Sequence, residues 1–179
     1  ASEALLEAAE EVAAQRGLEA TSIAAIAERA GVAVGTIYNY FPDRDALIAA
    51  LFKWRRYELL PRIAAASTQV RELPFEERLA SYLTAVLAVF EEYRRFLRVA
   101  MSADQHAARP KARSIVLMTI VESLREILAP VAGEDAADLA HMLYGAMKAL
   151  LHDRIERDEP LLPAAPLLAA TFLKGILPR

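Results

Sequence analysis

Residues 21–48, TSIAAIAERAGVAVGTIYNYFPDRDALI, constrain this chain more than any other stretch. Ser22 is a residue type that caps a helix start by accepting a backbone N–H. Ile23, Ile26, Ala27 and Ala30 then fall at i, i+3, i+4 and i+7, one apolar face of a helix. Gly31 stands where a helix commonly ends in a left-handed residue, and Val32 is placed to anchor the turn. A second helix is expected from about Ala33 to Tyr40, broken by Pro42, with Asp43 free to cap the next one. Two helices joined by a short turn containing Gly make a helix-turn-helix unit, whose second helix enters the DNA major groove. Ala33, Val34 and Thr36 are exposed near the start of that helix, with Tyr38 and Asn39 one turn on, while Ile37 and Phe41 face the preceding helices. Val34 or the Thr36 methyl suits a thymine methyl, and Asn39 suits adenine.

The segment AERAGVAVGTIYNYFPDRDAL resembles the N-terminal signature of the tetracycline-repressor (TetR) family of transcriptional regulators. The similarity lies in the helix Ile23 to Ala30, the Ala30-Gly31-Val32 turn, Gly35-Thr36, Tyr38, Tyr40-Phe41 and a basic residue at 44 before Leu47. Upstream, LLEAAEEVAAQRGLEATS is similar to that family's first helix and its Gly-before-Thr ending, so the resemblance covers residues 4–52. It implies that Thr36 and Tyr38 reach phosphate oxygens and that Arg44 stands where relatives usually carry a phosphate-binding Lys. Ala33 departs from the Ser common at that place, which removes one capping or phosphate bond. The full expected DNA-contacting set is Ser22, Ala33, Val34, Gly35, Thr36, Tyr38, Asn39, Tyr40 and Arg44. A basic arm ahead of the first helix is usual in the family.

Charge pulls against nucleic-acid binding. Residues 1–53 hold Arg16, Arg29, Arg44 and Lys53 against six glutamates and two aspartates, whereas a DNA-binding module is expected to be basic. The acids gather on the first helix and its edges, so modest phosphate affinity and reliance on dimerisation are expected. The whole chain has a net charge of −3 over 179 residues and no cysteine, which excludes a disulfide framework and a thiolate metal site. No signal peptide is recognisable. The apolar run at 160–178 is interrupted by Pro160, Pro163, Pro166 and Lys174, too broken to span a bilayer. A cytoplasmic protein without membrane contact is the expectation.

Past residue 54 the sequence reads as helix throughout, giving an all-α chain of about nine helices. Expected helices run from Asp45 to about Ser67 with a kink at Pro61, from Pro74 to about Phe96, over roughly 97–105, from Arg109 to Leu128 before Pro130, from about Asp135 to Arg157, and from about Ala164 to Leu177. The boundary between a DNA-binding domain (1–46) and a regulatory domain (47–179) falls at the first of these, a shared strut rather than a tether. On the 135–157 helix, Asp138, His141, Gly145, Lys148 and His152 make one narrow polar stripe, and nearly everything else is apolar. The last helix is equally apolar. Such helices need cover on more than one side; a second copy of the chain is the simplest cover, and a single well-covered core is the alternative. Leu139, Leu143, Ala146 and Leu150, with Leu168, Phe172 and Ile176, are the candidate dimer contacts, the place where the resemblance also puts the dimer.

Catalytic chemistry finds little support. His141 and His152 lie about 16 Å apart on a helix rising roughly 1.5 Å per residue, no paired Glu-x-x-His set exists, and no Gly-rich phosphate loop is present. No metal, cofactor or enzyme activity is expected. A pocket for an adaptable apolar ligand is a better fit. Its candidate lining is Tyr82, Val86, Phe90, Met101, Leu117, Met118, Val121 and Met142, with His106 or His141 as the polar contact. The reading is therefore a dimeric regulator that binds operator DNA, most simply a repressor released by a small apolar or amphipathic effector. A helical-bundle enzyme or carrier, or a protein-interaction domain, are the alternatives.

Overall fold

Local caps define the first helices. The computed structural model describes residues 2–106 and 115–176, with side chains described for 2–103 and 115–175. Helix α1 spans Ser2–Arg16 and α2 spans Ile23–Ala30. The Ser22 side chain accepts the Ala25 N–H at 3.2 Å. At the other end Gly31 adopts φ 68°. Its N–H reaches the Glu28 carbonyl (3.2 Å) and the Val32 N–H reaches Ala27 (3.0 Å), the paired bonds of a Schellman ending. Helix α3 is only Val34–Tyr38, capped by Ala33 with no side-chain bond. Asp43 starts α4 (Arg44–Gln69) by accepting the Ala46 N–H at 2.7 Å.

Among the described residues the remaining helices are α5 (Phe75–Glu92), α6 (Arg94–His106), α7 (Ile115–Ala132), α8 (Ala136–Glu156) and α9 (Ala164–Ile176), with a 3-10 turn at Gly133–Asp135 and no strand. The all-α reading with about nine helices stands, but several boundaries move. The helix expected from Pro74 to about Phe96 stops at Glu92, and what was expected as a short piece over 97–105 is the thirteen-residue α6. No Gly or Pro marks that break. Long-range ion pairs flank it. Glu92 takes both outer nitrogens of Arg62 at 2.6 Å, while Arg95, three residues on, bonds Glu10 at 2.6 Å. Helix α7 runs on through Pro130, which was expected to close it. The proline costs one bond to the Glu126 carbonyl, and the left-handed Gly133 (φ 54°) ends the helix instead. The stretch 109–114 expected to open that helix, and Leu177, lie outside the described residues.

The chain divides into two compact units, Ala1–Glu58 with Tyr93–Pro110, and Leu59–Glu92 with Lys111–Arg179. Helix α4 contributes to both and continues through Pro61 without interruption. In the first unit Leu5, Leu6, Ala9, Ile23, Ile26, Ile37, Leu47 and Leu51 form the core. Phe52 meets Phe96 edge-on at 5.3 Å. In the second unit α7 packs chiefly on α8 and α5 chiefly on α9.

One buried charge ties the first unit together. Glu10 on α1 is 2% exposed. Its carboxylate accepts from Arg55 of α4 at 2.5 Å and from Arg95 of α6 at 2.6 Å. Arg55 also bonds Glu58 at 2.7 Å and lies 3.9 Å above the Trp54 ring centroid. Burial works against the Arg55 charge, but the bonds and charges of Glu10 and Glu58 outweigh it and raise its pKa. Removing one partner of a buried ion pair strands the others, typically at about 3–5 kcal/mol. Glu10→Ala is thus expected to lower unfolding stability by that order, and Glu58→Ala by under about 1 kcal/mol. Urea denaturation followed by circular dichroism checks both.

Candidate nucleic-acid interface

The exposed face of α3 is held from beneath by one side chain. Ile37 is fully buried among α1, α2 and α4, with Phe41 and Val32 half-buried against the same core. That anchor leaves Val34, Tyr38 and Tyr40 facing outward at 41–52% exposure. Ala33, Gly35 and Asn39 are exposed beside them, and Thr36 is half-buried. The backbone is tight: Thr36 N–H to Ala33, and Tyr40 and Phe41 N–H to Ile37, all at 2.9 Å. A side chain at Gly35 would meet nothing within 4 Å, and its backbone is not left-handed. Neither packing nor φ within this chain calls for glycine there. A bare backbone on a convex helix face suits close approach by a neighbouring molecule.

The expected phosphate ligand Arg44 is turned to another task. Its Nε donates to the Thr21 carbonyl at 2.5 Å, one outer nitrogen donates to Leu18, and the other meets Asp45 at 3.1 Å. Arg44 thereby fastens the loop before α2 to the start of α4. Thr21 is itself buried and donates to Gly17 at 2.8 Å. Arg29 pairs with Glu11. Ser22, expected to touch DNA, is exposed while its oxygen serves the α2 cap. The surface around α3 therefore offers hydroxyls, an amide and methyl groups more than free cations. Sequence reading missed the carbonyl role of Arg44, because Thr21 and Leu18 meet it only in the folded unit.

Comparison with known proteins decides what this arrangement belongs to. Residues 5–51 match the family described as bacterial regulatory proteins, tetR family. A stretch of 59 residues is 37% identical to the fatty acid metabolism regulator protein of Bacillus subtilis, covering 33% of this chain and 30% of that protein. A transcriptional regulator from Rhodococcus sp. Rha1 superposes over the whole fold, with TM-score 0.78, 26% identity and coverage of 99% of this chain and 100% of that one. Residues 5–51 carry a tetR-family N-terminal domain. A second structure, FadR from Bacillus subtilis in complex with stearoyl-CoA, shares the fold at TM-score 0.76 and 21% identity, over 98% of this chain and 99% of that one. In sequence, the match to the B. subtilis regulator spans less than a third of that protein's length.

Beyond the matched domain, the candidate ligand residues do not gather around one space. Tyr82, Val86 and Phe90 on α5 and Val121 on α7 are buried in the second unit. Leu117 is half-buried, Met118 and Met142 are 52% and 62% exposed, and His141 is exposed with Nδ1 2.8 Å from the Ala137 carbonyl. Met101 belongs to the first unit. The His106 side chain lies outside the described residues. Among the dimer candidates, Leu143 and Leu168 point into the subunit's own core, contrary to expectation. Helical periodicity sets Met142, Gly145 and Ala149 on the outward face of α8, and Leu167 and Ala170 on that of α9. Leu139, Ala146, Leu150 and Phe172 are half-buried at its edges, and the Ile176 side chain lies outside the described residues. An open groove of about 440 Å³ runs along Gly145, Lys148, Ala149, His152, Asp153 and Glu156. Among the described residues no group of three His, Asp or Glu is set to hold a metal, and no helix is long and apolar enough to cross a membrane.

Two measurements follow from these placements. Arg44→Ala is expected to cost roughly 2 kcal/mol of stability, since hydrogen bonds from a charged donor contribute on that order; an unchanged denaturation midpoint would return Arg44 to a purely phosphate-facing role. Tyr82 is fully buried, and burial pushes its pKa up to about 12 from 10.0. A tyrosine with a raised folded pKa adds stability that is intact below the unfolded value and lost as pH climbs through the folded one. Stability is expected to fall between pH 10 and about 12, by roughly 2–3 kcal/mol for a two-unit shift, and Tyr82→Phe should lack that part of the fall.

Proposed function

We propose that this chain is a homodimeric transcriptional regulator, a repressor in the simplest form, that reads operator DNA through α3 and leaves it when a small apolar or amphipathic molecule binds the second unit. The observation that carries the DNA reading is the outward face of α3: Val34, Gly35, Tyr38, Asn39 and Tyr40 presented on a short helix whose orientation Ile37 locks. Methyl and amide groups there suit base edges, and Thr36, Tyr38 and Tyr40 suit phosphate oxygens. The acting units are a DNA-binding domain near residues 1–46 and a regulatory domain over 47–179, working in the cytoplasm. Helix α4 spans both and is the natural lever for coupling, which in such systems amounts to about 1–3 kcal/mol.

Dimerisation is supported by the outward faces of α8 and α9. Met142 and Leu167 are more than half exposed. Gly145, mid-helix, has nothing within 4 Å of its missing Cβ. Glycine inside a helix costs roughly 1 kcal/mol against alanine, and close seating of a partner helix over Gly145 and Ala149 offsets it. The effector reading draws on the relatives: one is named for fatty acid metabolism, and another holds stearoyl-CoA.

Selection from random DNA at low salt tests the proposal. It is expected to enrich a palindrome with half-sites about one helical turn, roughly 34–36 Å, apart or a multiple of it. Tyr38→Ala should weaken binding to every sequence, and Asn39→Ala should change preference at one base step. Gly35→Ala should raise stability and weaken DNA binding, because the added methyl stands in the way of the groove. With few free cations on the face, affinity should fall with salt no more steeply than a log–log slope of about −4 for the dimer, near 0.9 per phosphate. Enrichment of no sequence would end the regulator reading.

A further inference from the structure

We propose that the Tyr82 hydroxyl, beside Ser123, is the hydrogen-bonding point of an effector site between α5 and α7, and that the molecule it takes is uncharged and largely hydrocarbon with one acceptor oxygen. This rests on the reading that the second unit binds an effector, and narrows it to a position and a chemical class.

The described buried side chains of the second unit are hydrocarbon or thioether with two exceptions, Tyr82 on α5 and Ser123 on α7. Tyr82 has no exposed surface, and its hydroxyl has no hydrogen-bond partner. Ser123 is the polar neighbour near enough to ease the tyrosine's titration, yet it makes no well-formed bond with that hydroxyl. A buried hydroxyl left unbonded is unfavourable. Phenylalanine fills the same space without it, so packing alone gives no reason for the oxygen. A ligand that accepts the O–H does.

The surroundings set what that ligand is. One turn to either side lie Leu79 and Val86 on α5, and Ile120 and Ile127 flank Ser123 on α7, all buried. A hydrocarbon body matches them. Burial holds the tyrosine in its protonated, donating form at ordinary pH, so the ligand contributes an acceptor: a carbonyl, ether or hydroxyl oxygen. No ionised side chain is among the described buried residues of this unit, and a carboxylate placed there has no counter-charge. The ligand gains its room by parting α5 from α7, and it acts by favouring that parted state over the closed one.

The test is direct binding to the full chain without DNA, by calorimetry and thermal shift, with three probes sharing one ring: acetophenone, ethylbenzene and benzoate. Acetophenone is expected to bind most tightly and benzoate not at all. Tyr82→Phe should weaken acetophenone about tenfold and leave ethylbenzene unchanged. Ser123→Ala should weaken acetophenone less. Tyr82→Phe alone should leave the melting temperature unchanged or raise it. Unaltered acetophenone affinity in Tyr82→Phe, benzoate binding as tight as acetophenone, absence of binding by all three, or a melting temperature several degrees lower in Tyr82→Phe would each overturn the assignment. Because no DNA is present, a failure of operator selection leaves this result standing, and a failure here leaves operator binding standing.

Discussion

The burial of Ile37 is the contact on which the exposed face of α3 depends. A five-residue helix has no stability of its own, since nucleating a helix is unfavourable and short ones do not repay it. Helix α3 exists because Ile37 drops between α1, α2 and α4 while the Schellman turn at Gly31 delivers the chain at the right angle. Every outward side chain on α3 inherits its direction from that inward one. The core of this unit therefore decides which side chains α3 presents to solvent.

Local rules were sufficient where the fold is local. Ser22, Gly31 and Asp43 are cap and turn residues whose roles follow from their own backbone neighbours, and each appears in the structure as sequence reading placed it. The all-helical architecture followed from periodicity over long segments. What sequence did not disclose depends on partners distant in the chain. The break at Tyr93 carries no Gly or Pro, and is flanked by the Arg62–Glu92 pair on one side and the Glu10–Arg95 pair on the other. Pro130 reads as a stop and is accommodated, because a proline removes one bond and an exposed carbonyl tolerates the loss.

The site residues divide along the same line. The outward position of Val34, Tyr38 and Tyr40 was legible, because Ile37 and Phe41 declare the opposite face. Arg44 was not, because its carbonyl acceptors on Thr21 and Leu18 are 23 and 26 positions away. On α8 and α9 the apolar surplus was legible, but which leucines face inward was not. A helix apolar around most of its girth carries no phase, and only the packing of α7 on α8 and α5 on α9 assigns Leu143 and Leu168 to the interior.

The first unit is discontinuous in the chain: Tyr93–Pro110 returns to complete what Ala1–Glu58 begins. Spatial modules and sequence modules thus differ. A cut after α4 would carry away α3 but leave Arg95 and Phe96 behind, so the Glu10 carboxylate would keep one of its two arginines and Phe52 would lose its aromatic neighbour. Recombination of this head onto a foreign body, whether in a genome or in a chimera, must transplant α6 with it. An insertion of 34 residues between the two pieces of one unit resists shuffling, and the head and the segment that completes it are bound to diverge together.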